Sequence, residues 1–498
     1  MSFSVYVVVA AMVALATVFR LNKIGQRPKD YPPGPPTWPL IGNLHLMPKE
    51  KAHLQFQKWA NEYGPVYSLI LGTKVMIVLS SDQAIKDLLD KRSNIYSSRP
   101  DMYLGKVVSG GLRMLLMEYG ETWRMIRKIV HKNLNIKAAR SYVPYQDLEN
   151  KAMLGFEKFS QVTGTQTAAL LDLFPVLRHM PDFMLPLRRY AKKLHEHEAR
   201  LYVGHWLNVK KAIKEKTAKP CFCLDLIRAQ ETEGFSDALA AYVSGSLLEA
   251  GSDTTAATLV GFVQAMLLFP DVARNAQEEL DRVCGERLPS LEDEPNLPYI
   301  RGCIKESLRW MPTAILGVPH AVIRDDEYMG YKIPKGAGVM WNVWSVHMDP
   351  KRHRDPRRFD PGRYINDSQT AAEAANNPDA SKRDHFVFGA GRRLCQGMHI
   401  AERSMFLAIS RLLWAFDFRL ARDAHGNEIK PNADDLTEGL LVCPKPFPAC
   451  IVPRDETKAA RVRSEWSMME SSLDKDLQWS VLPEGLIWEE HRDADKET

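Results

Sequence analysis

Cys395 closes a glycine-rich, cationic stretch, Phe388-Gly389-Ala390-Gly391-Arg392-Arg393-Leu394-Cys395-Gln396-Gly397. Three glycines in nine residues permit positive φ and close backbone approach, so the chain can wrap tightly around a partner. A helix starting near Gly397 turns free N–H groups and the positive end of its dipole towards the sulfur. Arg392 and Arg393 add positive charge. These features favour a thiolate, the form that ligates a metal or acts as nucleophile. A second chemical stretch, Ala250-Gly251-Ser252-Asp253-Thr254-Thr255, interrupts a long apolar helical pattern with poor helix formers. A threonine hydroxyl there can bond back to the carbonyl four residues earlier and open the helix slightly. The plain alternative is a tolerated polar turn that bends the helix against solvent. Glu306 and Arg309 lie three apart on one helix face, a spacing that usually means a surface ion pair. Trp123 and Arg127, four apart, can reach one anion together or form a cation–π pair.

The pattern F-x-x-G-x-R-x-C-x-G, complete at Phe388, Gly391, Arg393, Cys395 and Gly397, resembles the haem-binding signature of the cytochrome P-450 superfamily. The resemblance implies haem b (iron protoporphyrin IX) with the Cys395 thiolate as axial ligand, which favours O–O cleavage. It also implies that Arg393 meets a propionate and that Phe388 packs beside the sulfur. The segment from Ala250 to Thr255 resembles the family's A-G-x-D-T-T stretch on the distal face. Asp253 and Thr254 are then the catalytic proton relay, and Gly251 leaves room for oxygen. Glu306, Arg309 and Arg363 resemble the family's structural E-x-x-R and F-x-P-E-R-F cluster, although Gly362 and Tyr364 replace the usual glutamate and phenylalanine. By the same likeness Trp123, Arg127 and His320 are propionate partners; for His320, a plain loop histidine is the alternative. The matching segments run in family order over about nine-tenths of the chain.

Positioning these residues falls mainly to helices. Amphipathic patterns occur near Ala52–Tyr63, Ser81–Lys91, Thr122–Leu134, Leu187–Lys216, Ser236–Leu268, Asp271–Cys284, Ile300–Trp310 and Gly397–Ala415. Strand-like alternation is confined to Val66–Leu71, Lys74–Val78, Gly338–Trp344 and Leu440–Val452. The fold class is therefore mainly α with a minor β-sheet, and the resemblance implies the P-450 fold with an N-terminal transmembrane helix. Ala371–Lys382 reads as a surface loop. His195-Glu196-His197-Glu198 lacks the H-E-x-x-H spacing of a zinc protease and reads as a solvated helix face. Cys221 and Cys223, in a loop-like stretch without a second pair, do not make a zinc ribbon. Gly389-Ala390-Gly391 lacks the third glycine of a dinucleotide loop.

The 498 residues, 45% apolar and 26% charged, exclude disorder and low-complexity classes. A net charge of +5 is too mild to argue for nucleic acid, and seven scattered cysteines suit a reducing compartment. Residues 2–19 carry no charge and are followed by Arg20, Lys23, Arg27 and Lys29. Eighteen helical residues span about 27 Å, close to the thickness of the endoplasmic reticulum bilayer. The positive flank places the amino terminus in the lumen and the catalytic domain in the cytosol, a single-pass arrangement. A basic, proline-rich hinge (20–50) leads to a catalytic domain (51–453). A tail (454–498) with seven basic and twelve acidic residues follows, its role unassigned.

No flavin or nicotinamide segment is visible, so the resemblance implies NADPH–cytochrome P-450 reductase as donor, with cytochrome b5 optional. Lys128, Lys132 and Arg392 suit an acidic partner. Apolar residues recur in Tyr242–Ala250, Thr313–Val318 and Thr437–Leu441, which with Arg99–Tyr119 are expected to touch a lipophilic small molecule. The general style resembles fungal monooxygenases of secondary metabolism. An oxygen-independent isomerase or dehydratase of the same fold is the alternative, and a non-enzymatic haem protein a further one. The intact Asp253-Thr254 pair argues for oxygen activation.

Overall fold

The computed structural model describes residues 22–135, 171–173, 175–219 and 221–471, with isolated positions before and after them. The helices that position the site are α1 (Ala52–Tyr63), α2 (Tyr103–Ser109), α3 (Glu121–Leu134), α4 (Pro186–Lys214) and α5 (Phe222–Glu233). Then follow α6 (Asp237–Leu268), α7 (Pro270–Cys284), α8 (Pro298–Trp310), α9 (Met398–Ala415) and α10 (Glu456–Glu470). The strands are β1 (Val66–Leu71), β2 (Lys74–Leu79), β3 (His320–Ala321), β4 (Asp326–Tyr328), β5 (Tyr331–Ile333) and β6 (Gly338–Trp341). Near the end come β7 (Phe416–Arg422), β8 (Glu428–Ile429) and β9 (Ala449–Pro453). The largest sheet has the order β1-β2-β6-β3, with β1 and β2 antiparallel and β2 parallel to β6. His320 pairs with Val339 at its far edge, which fixes that side chain in the interior.

α6 is apolar around most of its circumference, the pattern of a helix that runs through a core. The Ser236 hydroxyl caps it by accepting from Leu239 N at 3.2 Å. It stops at Phe269 because a residue before proline is driven out of the helical region, and Pro270 then opens α7. The main core joins α6, α7, α8 and α9 through Phe262, Ala276, Leu308, Ile409, Leu413 and Trp414. No single helix among the described residues is long and apolar enough to cross a membrane. α6 and α7 meet that criterion only as a pair bent by 105°, and both supply the core. The anchor expected at residues 2–19 lies outside the described residues apart from isolated positions.

The proline-rich hinge is fastened to the body. Arg27 donates to Gly34 O (2.8 Å), Pro35 O (2.9 Å) and Ser68 Oγ (2.9 Å), while Asn43 Nδ2 donates to Pro35 O and Pro36 O, each at 2.9 Å. At the other end α10 packs on α9, and Arg454 pairs with Asp281 of α7 at 2.6 Å. The tail thus begins as a docked helix.

Several local expectations change. The loop expected at Ala371–Lys382 opens with a helical turn, Ala371–Asn376, held by a reciprocal cap between Thr370 and Glu373. Ala371, Ala374, Ala375 and Ala380 are buried there because small side chains fit close packing. The strand expected to reach Trp344 ends at Trp341, since Asn342 caps the short helix Val343–His347. The strand expected over Leu440–Val452 is only β9, delayed by Pro444, Pro446 and Pro448, which lack the ladder donor. Cys221 caps α5 and Cys223 lies in its first turn, rather than in a loop. The supposedly solvated face of α4 places Glu198 in the interior, against Arg113.

Candidate active site

The cysteine loop is shaped by its glycines. Gly391 adopts φ +60°, and a Cβ built there would lie 1.8 Å from Leu89 O, so only glycine fits. Gly391 N donates to Asp90 Oδ1, Arg383 holds the carbonyl of Gly389, and Cys395 N donates to Phe388 O at 2.9 Å. Gly397 precedes α9 and its N–H points at the Cys395 sulfur. Cys395 keeps part of its surface open.

Burial pushes the Cys395 thiol up, against the Gly397 N–H and the Arg127 charge. In the chain alone, burial outweighs the helix end and the neighbouring charge that favour a thiolate. The reason is geometric: Arg392 turns outward to Tyr119, and Arg393 lies over the Trp123 ring with its carbon 3.9 Å from the centroid. A thiolate here calls for a cation bound directly to sulfur. Among the described residues no three His, Cys, Asp or Glu side chains are grouped to hold a metal ion, so a metal on Cys395 must bring its other ligands with it.

Beside this loop lies a cationic cluster of one buried and two half-buried arginines. Arg393 donates to Ser97 O (2.8 Å) and Met117 O (2.7 Å), and Arg127, from α3, donates to Leu394 O (2.5 Å). Arg99 donates to Leu115 O (2.9 Å), Val318 O (2.6 Å) and Pro319 O (2.7 Å). Burial pushes the three guanidinium groups down, to about 8 for Arg393, about 9 for Arg99 and about 10 for Arg127. No carboxylate among the described residues pairs with any of them. His320 is 1% exposed; its Nδ1 is 2.7 Å from Tyr96 O, and its Nε2 is buried without a partner. One buried and two half-buried cations, Arg99, Arg127 and Arg393, with an orphaned ring nitrogen, fit a ligand bearing two carboxylates, as the two propionates of haem b do. No motif marked Arg99; two of the three carbonyls it holds, Val318 O and Pro319 O, lie more than 200 residues away.

The turn of α6 is the second part of the site. Ser252 Oγ, Thr254 Oγ1 and Thr258 Oγ1 donate back to Leu248 O (2.9 Å), Ala250 O (2.8 Å) and Thr254 O (2.9 Å). Residues 251–255 cost the helix about 3 kcal/mol relative to alanine by propensity alone. Gly251 is exposed, and nothing lies within 4 Å of a Cβ built on it, although α6 is buried on either side at Tyr242 and Phe262. A central helix with one uncovered, hydroxyl-rich turn is suited to face a bound ligand.

Support comes from the third group. Arg309 donates twice to Glu306, both bonds at 2.6 Å, with both side chains fully buried. Arg363 Nε lies 3.4 Å from the same carboxylate, and Asp360 N donates to it at 2.8 Å. His347, unmarked in the sequence, extends the cluster: its Nδ1 donates to Arg309 O (3.0 Å), and its Nε2 accepts from Phe386 N (2.8 Å). The ion pair on α8 is thereby tied to the strand of chain that enters the cysteine loop.

The cytochrome P450 family model matches residues 32–155 and 145–451 of this chain. The chain is 56% identical to cytochrome P450 monooxygenase virE of Hypocrea virens, with 96% of each chain covered. It is 52% identical to cytochrome P450 monooxygenase fogE of Aspergillus ruber, over 96% of this chain and 97% of that one. A solved zebrafish cytochrome P450 with abiraterone, 23% identical, superposes with a TM-score of 0.61 over 81% of this chain and all of that one, a likeness of fold.

Proposed function

The chain belongs to the cytochrome P450 family as a monooxygenase, and from that premise we propose that it holds haem b through Cys395 and oxidises a lipophilic small molecule in fungal secondary metabolism. The observation that carries the haem reading is the cluster of Arg99, Arg127, Arg393 and His320, cations without a carboxylate among the described residues and an orphaned nitrogen, beside Cys395. When bound, the haem supplies dioxygen activation and transfer of one oxygen atom to carbon. Cys395 is the protein ligand to the metal, with Gly397 N–H donating to its sulfur. Arg99, Arg127, Arg393, Trp123 and His320 orient the propionates. Gly251 leaves space at the uncovered turn, while Asp253 and Thr254 hold and pass protons to the reacting oxygen.

Apolar side chains from the expected contact segments support a lipophilic substrate: Leu104, Leu115, Leu116 and Leu441 meet in one cluster. Electrons arrive from NADPH–cytochrome P-450 reductase, optionally cytochrome b5, steered by Lys128, Lys132 and Arg392, all exposed. Residues 2–19 anchor the enzyme in the endoplasmic reticulum membrane with its body in the cytosol. The charge-free run and its basic flank support that placement. The test is the spectrum of the reduced, carbon-monoxide-bound protein. Wild type shows the thiolate Soret band and Cys395→Ala loses it; a band that survives the substitution refutes the ligand assignment.

A further inference from the structure

Arg113 lies in the segment between α2 and α3 and is 2% exposed. Its guanidinium pairs with two carboxylates from different helices, Glu198 of α4 and Glu249 of α6, which are 3% and 7% exposed. The other oxygen of Glu249 accepts from the Tyr202 hydroxyl of α4. Tyr242 of α6 faces Glu198, and its hydroxyl lies 3.0 Å from His195 Nδ1, which is also 2.9 Å from Val108 O of α2. Glycines make room for this packing. A Cβ at Gly245 would come within 2.7 Å of the Tyr202 ring, and one at Gly110 within 2.8 Å of His195.

Glu249 immediately precedes the weak turn, residues 250–254. On its C-terminal side that turn is held by ordinary core packing: Thr258 and Phe262 are buried, and Gly261 lies against Met311. On its N-terminal side core packing reaches only to Val243, residues 244–248 are half-buried, and the nearest buried residue is Glu249, gripped at both oxygens. Removing either grip frees the end of a helical segment that has poor intrinsic propensity and three hydroxyls competing for its carbonyls.

We propose that Arg113, acting through Glu249 and braced by Glu198, is a positioning residue that pins the oxygen-activating turn of α6 to α4 and to the segment after α2. The inference rests on the reading that Asp253 and Thr254 pass protons at that turn. Arg113 and Glu249 touch neither oxygen nor substrate in this role; they set how long the acid and hydroxyl stay in register.

The experiment uses the full-length holoenzyme with the reductase and no added substrate. It reads hydrogen exchange of the amides of residues 250–256, hydrogen peroxide released per NADPH oxidised, and melting temperature. Glu249→Gln keeps the shape but removes the charge facing Arg113. The expected result is exchange at least tenfold faster in 250–256 and a severalfold larger peroxide fraction, with the carbon-monoxide spectrum retained. Tyr202→Phe removes one grip only and gives a smaller change in the same direction, which keeps the test open if Glu249→Gln folds poorly. A lowered melting temperature with local exchange and peroxide fraction unchanged overturns the proposal, because a strut without a positioning role behaves that way. Thr254→Ala separates the two readings. If it raises peroxide while Glu249→Gln and Tyr202→Phe do not, the positioning role fails alone; if Thr254→Ala changes nothing, the proton-relay reading fails.

Discussion

Arg127→Met should act with opposite sign on the ligand-free and the haem-loaded protein. In the chain alone, burial pushes the Arg127 guanidinium down to about 10. At about 1.4 kcal/mol per pH unit this is about 3 kcal/mol of unfavourable charge burial, reduced to about 2 because the side chain is partly exposed. Methionine removes that cost. It also removes the bond to Leu394 O, worth about 1 kcal/mol, and the contact with the Trp123 ring at 5.7 Å, worth about 0.5 kcal/mol. The ligand-free variant should therefore melt within about 1 °C of wild type, or slightly above it, since a chain of this length shifts by roughly 1 °C per kcal/mol. With haem bound the balance reverses. A charge-assisted bond to a propionate is worth about 1.5–3 kcal/mol, so haem should be held roughly 10- to 150-fold less tightly. Calorimetry of the ligand-free protein and transfer of haem to apomyoglobin measure the two effects. A ligand-free variant that melts several degrees lower, with haem retention unchanged, would show that Arg127 is a strut and not a propionate partner.

Three further outcomes follow from the geometry. Arg309→Ala leaves Glu306 charged, fully buried and without its main partner, and should cost about 3–5 kcal/mol in denaturant unfolding; a loss under 1 kcal/mol would mean the pair is solvated. Gly391→Ala combines a positive φ with a 1.8 Å approach to Leu89 O, so the carbon-monoxide band should be lost even where α-helical circular dichroism is kept. Glu198 shares the single Arg113 guanidinium with Glu249, and burial with that second carboxylate raises it from 4.5 to about 7. Because the folded value is the higher, its contribution is fully present below about pH 4.5 and is lost as pH rises through about 7. That amounts to about 3 kcal/mol, and Glu198→Gln should flatten this part of the stability–pH curve.

Much of the frame was legible because it rests on short-range rules. α1 and β1 have the bounds expected from periodicity, and α3, α4, α6, α7, α8 and α9 differ by one or two residues at their ends. Capping and proline chemistry set those ends locally. The failures are also physical. The alanines after Thr370 looked like a loop because their burial depends on a distant helix, whose Glu402 accepts from Ala371 N at 2.6 Å. Glu198 looked solvated because its partner, Arg113, lies 85 residues earlier.

Residue types and their spacing set the helical frame, the break at Pro270, the glycine-shaped cysteine loop and the weak turn at 250–254. All depend on neighbours within a few residues, so spacing and residue type suffice. Which charges are stranded and which are paired depends instead on long-range packing. Arg99, Arg127 and Arg393 converge without a carboxylate among the described residues, His347 links Arg309 to the cysteine loop, and Arg113 joins α4 to α6. The tertiary structure also sets the desolvation that pushes the Cys395 thiol up, because everything packed around the group contributes and comes from distant parts of the chain.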